Sequence, residues 1–197
     1  MKRLLALSRI IDRVNEMIGK WIAWLVVVAA LISAGNAVVR KLLDTSSNAW
    51  LELQWWLFGM VFLLCAPWTL ASNEHVRIDI MNNLFSRRLK NAVEVIGHML
   101  FLLPVCLVML YTAVPFFITS WLQNEQSANA GGLPLYPPKF LIPLGFALLL
   151  IQGISELIKR FAIIDGHPVD TGPGGDRHAG AEAETKRPLD ELEAKQS

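Results

Sequence analysis

The chain has little charge and no excess of either sign. Charged residues make up 18% of 197, and 18 basic against 17 acidic side chains leave a formal net charge of +1. A protein that grips nucleic acid needs a concentrated basic face for its phosphate contacts, and with no such face nucleic acid is excluded as a partner. Cysteine is scarce: Cys65 and Cys106 both fall inside apolar runs, where a free thiol acts as a small hydrophobic packing residue. Zinc, phosphate-loop and nucleophile-elbow spacings are missing, as is any convergent set of acid, base and nucleophile. The sequence therefore assigns no catalytic, cofactor or metal residue. The N-terminus lacks the small-residue cleavage site of a signal peptide, and the apolar run near it is long enough to span, so the first helix is expected to be retained.

What the chain does have is apolar residues in blocks. They make up 53% of it, with seven tryptophans, and a bilayer-spanning helix needs about 20 of them in a row. Four blocks qualify, which predicts an all-α integral membrane protein with spans over residues 21–39, 50–71, 92–121 and 140–160, forming one membrane domain over 21–164. Before it, Leu4, Leu7, Ile11, Val14 and Ile18 recur at steps of three or four, with Arg9, Asp12, Arg13, Glu16 and Lys20 on the other side of the wheel. That pattern predicts an N-terminal amphipathic interfacial helix over 1–20. Asp44-Thr45-Ser46-Ser47-Asn48 supplies capping chemistry for the second span. Pro67, Pro104 and Pro115 predict kinks or tilt. After residue 72, Ile80, Met81, Leu84 and Phe85 followed by Arg87, Arg88 and Lys90 predict a short helix on the cytoplasmic membrane surface. The loop over 123–138, rich in Asn, Gly and Pro, is expected to lack regular structure, and the tail over 165–197, all Gly, Pro, Ala and charge, is expected to be disordered.

Basic residues crowd the N-terminal segment, the 72–91 loop and the end of the fourth span, while Arg40, Lys41 and Lys139 are the few on the other side. The positive-inside rule then places both termini in the cytoplasm and the 123–138 loop outside. In a bacterium with two membranes this is the inner membrane, with the loop in the periplasm.

A stand-alone transporter shows internal repeats, broken helices and buried ionisable groups, and the sequence displays none of these clearly. Glu52, Gln54, Glu94 and Glu156 lie near span ends, where snorkelling into solvent or contact with a partner subunit accounts for them. Ser33, Gly35 and Asn36 on the first span suit close helix packing and an interhelical hydrogen bond. Trp21, Trp24, Trp50, Trp55, Trp56 and Trp121 fit an aromatic belt. His75 and His98 raise a haem between helices, as in respiratory membrane anchors, although His75 falls at an interface rather than within a span.

Asn36-Ala37-Val38-Val39-Arg40 closing the first span, Trp50-Leu51-Glu52 opening the second, His75-Val76-Arg77-Ile78-Asp79 after it, and Leu133-Pro134 with Pro143-Leu144-Gly145 around the fourth resemble the DctQ-like small membrane subunit of TRAP transporters, the tripartite ATP-independent periplasmic systems. The resemblance runs over about residues 10–162. It departs from the family pattern at Lys41, where a Tyr is usual, and at Ala66-Pro67, where a Gly is frequent. It implies a small permease subunit that scaffolds a large sodium-coupled transport subunit and helps dock a periplasmic substrate-binding protein for organic acid uptake. Asn36, Arg40, Glu52, His75, Arg77, Asp79, Leu133 and Pro134 are the candidate contacts with partners or lipid. The competing expectation is an anchor or scaffold subunit of another membrane complex, such as a respiratory enzyme.

Overall fold

A computed structural model describes residues 2–44, 47–72, 93 and 95–165, and these form helices and no strand. The helices are α1 (Lys2–Ala23), α2 (Leu25–Leu43), α3 (Asn48–Ala71), α4 (Val95–Leu122) and α5 (Tyr136–Ile164). Four helical stretches are long and apolar enough to cross a membrane, the first of them α1 and α2 taken together over 41 residues. At 1.5 Å per residue that stretch is about 60 Å long, twice the hydrocarbon core, so only part of it need cross. A single turn at Trp24 divides it: the Trp24 amide donates to the Trp21 carbonyl at 3.3 Å, and the Val27 amide returns to the Trp24 carbonyl at 3.1 Å. The helix that follows this turn, α2, runs on through Arg40 and Lys41 to Leu43.

α5 is the centre of the bundle, packed against α3, α4 and α1, while α3 also takes α1 and α2. α3 and α5 run parallel, because the connection before α5 returns the chain to the end where α3 starts. Midway along, Gly145 of α5 meets Leu63 of α3 so closely that a Cβ on Gly145 would lie 2.8 Å from the Leu63 Cβ and 3.0 Å from the Leu63 carbonyl oxygen. The carbonyl of Leu63 is the one that buried Pro67, four residues on, leaves without an intrahelical donor. Proline and glycine act together here, one freeing a carbonyl and the other letting a neighbouring helix close over it.

Pro104 has a comparable effect on α4. Residues His98–Leu102 wind as a π turn closed by the Leu103 amide on the His98 carbonyl, directly before the proline that cannot donate to Leu100. The irregularity expected of Pro104 takes the form of a widened turn. The capping chemistry expected before α3 is not used: Ser47 stands at the N-cap with no side-chain cap bond, and the Asn48 carboxamide donates to the Ala130 carbonyl at 3.0 Å instead.

The packing is apolar outside and polar inside. Phe62, Tyr111 and Leu122 are 78%, 83% and 77% exposed, while Gln152, Ser8, Ser120 and Ser155 are among the fully buried side chains. With lipid as solvent, apolar residues gain nothing from facing one another, and polar ones hold helices together. α1 turns a narrow polar side to the bundle. Ser8, Asp12 and Asn15 turn into the bundle, whereas Leu4, Leu7, Ile10, Val14 and Met17 face outward. Asp12 therefore parts company with Arg9 and Arg13. The surface helix expected near Ile80 and the tail from 166 onward lie outside the described residues.

Candidate functional site

Polar side chains gather at both ends of the bundle. At the end where α3 begins, Glu52 sits one turn into the helix and is only 4% exposed. One carboxylate oxygen accepts the Ser127 hydroxyl and, at 2.8 Å, the Asn129 carboxamide; the other accepts the backbone amide of Leu133 at 2.6 Å. All three donors come from the connection between α4 and α5. That connection, expected to be irregular, folds back on itself through one antiparallel bridge between Gln126 and Pro134. The Ser127 amide donates to the Leu133 carbonyl at 3.2 Å, and the Leu135 amide to the Glu125 carbonyl at 2.9 Å. At its tip Gly131 takes a φ of 69°, a conformation that disfavours side chains. Gly132 lies so close beneath that an added Cβ would fall 2.8 Å from a Glu52 oxygen.

Lys139, in the first turn of α5, pairs with Glu125 and lies 4.2 Å from the centre of the Phe116 ring. Its ammonium is the main cause holding the Glu125 carboxyl below the ordinary carboxylate range. An aromatic cluster backs this end: Trp121 meets Tyr136 edge-on with centroids 5.0 Å apart, and Phe117 meets Phe140 at 5.2 Å.

Asn36 and Arg40 lie near the same end, on the C-terminal half of α2. Asn36 is half-buried and Arg40 exposed, and they line a polar groove of about 440 Å³ with Ser33, Lys41, Asp44 and Gln54. Ser33 donates to the Gln54 side chain at 3.3 Å, the interhelical hydrogen bond expected of this small-residue stretch, while Gly35 has nothing within 4 Å of an added Cβ. A second, largely apolar groove of about 500 Å³ on α2 is lined by Leu31, Ile32, Gly35, Val39 and Trp50.

Of the candidates read from sequence, Glu52, Leu133 and Pro134 are brought together in the loop, and Asn36 and Arg40 share the groove on α2. His75, Arg77 and Asp79 lie outside the described residues. Glu52 is not solvated at a helix end; its carboxylate is enclosed by the chain's own loop. Ser127 and Asn129, which complete its shell, carry no signal in sequence beyond being ordinary loop residues.

The opposite end holds a cluster that sequence reading missed. Asp12 of α1 accepts the Gln152 amide at 2.8 Å and the Ser155 hydroxyl at 3.1 Å through one oxygen, and the Lys159 ammonium at 3.1 Å through the other. Lys159 also pairs with Glu156, Asn15 donates to Gln152 at 2.7 Å, and the Ser8 and Ser155 hydroxyls lie 2.7 Å apart. Ionisable groups are buried after all, and Glu156 joins them instead of reaching solvent. The signal was two polar stripes at helical spacing, Ser8-Asp12-Asn15 and Gln152-Ser155-Glu156-Lys159, each of which satisfies the other. Among the described residues no group of three or more His, Cys, Asp or Glu side chains is arranged to hold a metal ion.

A search of curated proteins found no match. The model of the family described as the DctQ component of tripartite ATP-independent periplasmic transporters matches residues 29–162, and the chain belongs to that family of transporter components, which are not enzymes.

Proposed function

We propose that this chain is the small permease subunit that scaffolds a large, sodium-coupled transport subunit in the bacterial inner membrane and presents a docking loop to a periplasmic substrate-binding protein delivering an organic acid. The observation that carries the docking role is the Glu52 latch. A loop rich in Asn, Gly and Ala would ordinarily move, and three hydrogen bonds to one enclosed carboxylate hold it in a single shape. Its tip, from Gln126 to Gly131, is exposed apart from half-buried Ser127, so the latch fixes the base while the tip stays open to a partner. The positive-inside count supports a periplasmic position for it and cytoplasmic termini.

For the scaffold, α2 is the favoured contact. Ala29 is its one buried residue, and it carries Asn36 and Arg40 beside apolar Leu31, Val38 and Val39. Polar groups on a membrane helix favour a protein neighbour over hydrocarbon, and the long Arg40 side chain can reach an acidic group or a lipid phosphate at the outer interface. A tagged copy of the chain, purified from cells that also express the large subunit and the binding protein, tests the reading. The large subunit should copurify, and uptake of the organic acid should need all three proteins. Uptake that persists without this chain would refute it.

A further inference from the structure

The outward faces of α1 remain unassigned. Ser8, Asp12, Asn15 and Gly19 form the side against the bundle. About a quarter turn round the helix, at roughly 100° per residue, stand Arg9, Arg13 and Lys20, all exposed. Leu4, Leu7, Ile10, Val14, Met17 and Trp21 fill the remaining arc and are 41–75% exposed. α1 has three faces, not two.

Its placement gives the two free faces a direction. Near its C-terminal end, the Gly19 carbonyl takes the Cys65 thiol of α3 at 3.6 Å; nearer its start, Ser8 and Asp12 meet Ser155 and Lys159 of α5. Both contacts fall in the C-terminal parts of two parallel helices, so α1 lies across the same end of the bundle. The apolar arc runs on through exposed Trp24 into exposed Val26, Val27, Val28 and Leu31 of α2, and so shares its solvent with a spanning helix.

We infer that α1 binds anionic phospholipid at its end of the bundle, its apolar arc in the acyl region and Arg9 with Arg13 on the headgroup phosphates. Water does not suit the apolar arc, and hydrocarbon does not suit two guanidinium groups that have no acidic partner among the described residues. Arg9 reaches only the Leu5 carbonyl of its own helix, at 3.4 Å, whereas Lys20 is paired with Glu16 at 2.6 Å. The boundary between acyl chains and charged headgroups suits both faces, and Arg matches phosphate with a two-pronged hydrogen bond. A negatively charged headgroup makes the match selective, by about fivefold for each basic residue near the surface.

The test uses the full chain in detergent, titrated with phosphatidylglycerol or with phosphatidylcholine, and counts bound lipid by native mass spectrometry. Other basic residues contribute to the total, so the reading is the difference between wild type and variant. Arg9→Gln with Arg13→Gln should weaken phosphatidylglycerol binding by about twentyfold and leave phosphatidylcholine binding unchanged. Both side chains are exposed, so the melting temperature should hold. If the Arg9 and Arg13 pair keeps wild-type preference for the anionic lipid, or loses the large subunit while keeping that preference, the inference is overturned and the face belongs to protein. Lipid binding by this chain does not depend on the docking role, so the two readings fail separately.

Discussion

The carboxylate of Glu52 accepts the backbone amide of Leu133 at 2.6 Å, across 81 positions of sequence. With Ser127 and Asn129 on the other oxygen, and with Asn48 donating to the Ala130 carbonyl, the first turns of α3 and the loop before α5 form one unit in which Glu52 takes three of the bonds. Glu52→Ala removes the acceptor for three donors at once. Amide exchange over residues 126–134 should then quicken at least tenfold while the helices keep their protection. Glu52→Gln retains one acceptor oxygen and should fall between. If the Leu133 amide exchanges at the wild-type rate in Glu52→Ala, the latch is not what orders the loop.

Gly145 is set by a contact no side chain can share. A Cβ there would lie 3.0 Å from the Leu63 carbonyl oxygen, which is backbone and cannot swing aside. Gly145→Ala should cost about 1–3 kcal/mol, the usual range for overpacking, with a matching drop in melting temperature in detergent. Gly35→Ala, where nothing lies within 4 Å, is the control and should be close to neutral.

The Glu125–Lys139 pair gives the loop a dependence on pH. Its folded carboxyl titrates below the ordinary carboxylate range, chiefly because of Lys139. A lowered pKa means that the stabilisation is fully present above the unfolded carboxyl's pKa and disappears as the pH falls through the folded value. Both partners are partly exposed to solvent, so the effect is small. The melting temperature of Glu125→Gln should therefore lie slightly below wild type at neutral pH, with the gap closing as the pH falls through the folded carboxyl's pKa. A gap that widens toward acid would contradict the pairing.

The four spans were legible because an apolar block of about 20 residues has few other uses. Pro104 and Pro115 marked α4 as irregular, though not that a π turn would absorb the strain beside Pro104. Glu52 was legible as a residue of interest but not in its role, since its partners lie 75–81 positions away and two of them, Ser127 and Asn129, are of types found in any loop. α1 shows the limit most clearly. Its wheel sets an apolar side against a polar one, but Asp12 leaves the polar side to join Ser8 and Asn15 against α5, while Arg9, Arg13 and Lys20 stay exposed. The stripe Ser8-Asp12-Asn15 is visible in α1, but that it meets Gln152, Ser155 and Lys159 of α5 emerges only from contacts across about 140 positions.

The contact between Asp12 and Lys159 yields the sharpest energetic test. Lys159 lies between Asp12, at 3.1 Å, and Glu156, all three at most 9% exposed as residues. Removing the cation leaves two buried carboxyl groups without their common partner, and breaking a buried pair from one side costs about 3–5 kcal/mol. Lys159→Met should thus destabilise strongly, and much of the loss should be felt by α1. Its other links to α5 are hydrogen bonds only: the hydroxyl pair of Ser8 with Ser155, the Asn15–Gln152 bond, and those that Asp12 accepts from Gln152 and Ser155. Removing Asp12 as well takes away one of the stranded groups, so Asp12→Asn with Lys159→Met should be less destabilised than the sum of the two single variants, by about 1–3 kcal/mol of coupling. Unfolding of the four proteins in a mixed-detergent titration, followed by circular dichroism, measures that term. Strict additivity would mean that the two side chains are neighbours without being partners, and that α1 is held by its neutral contacts alone.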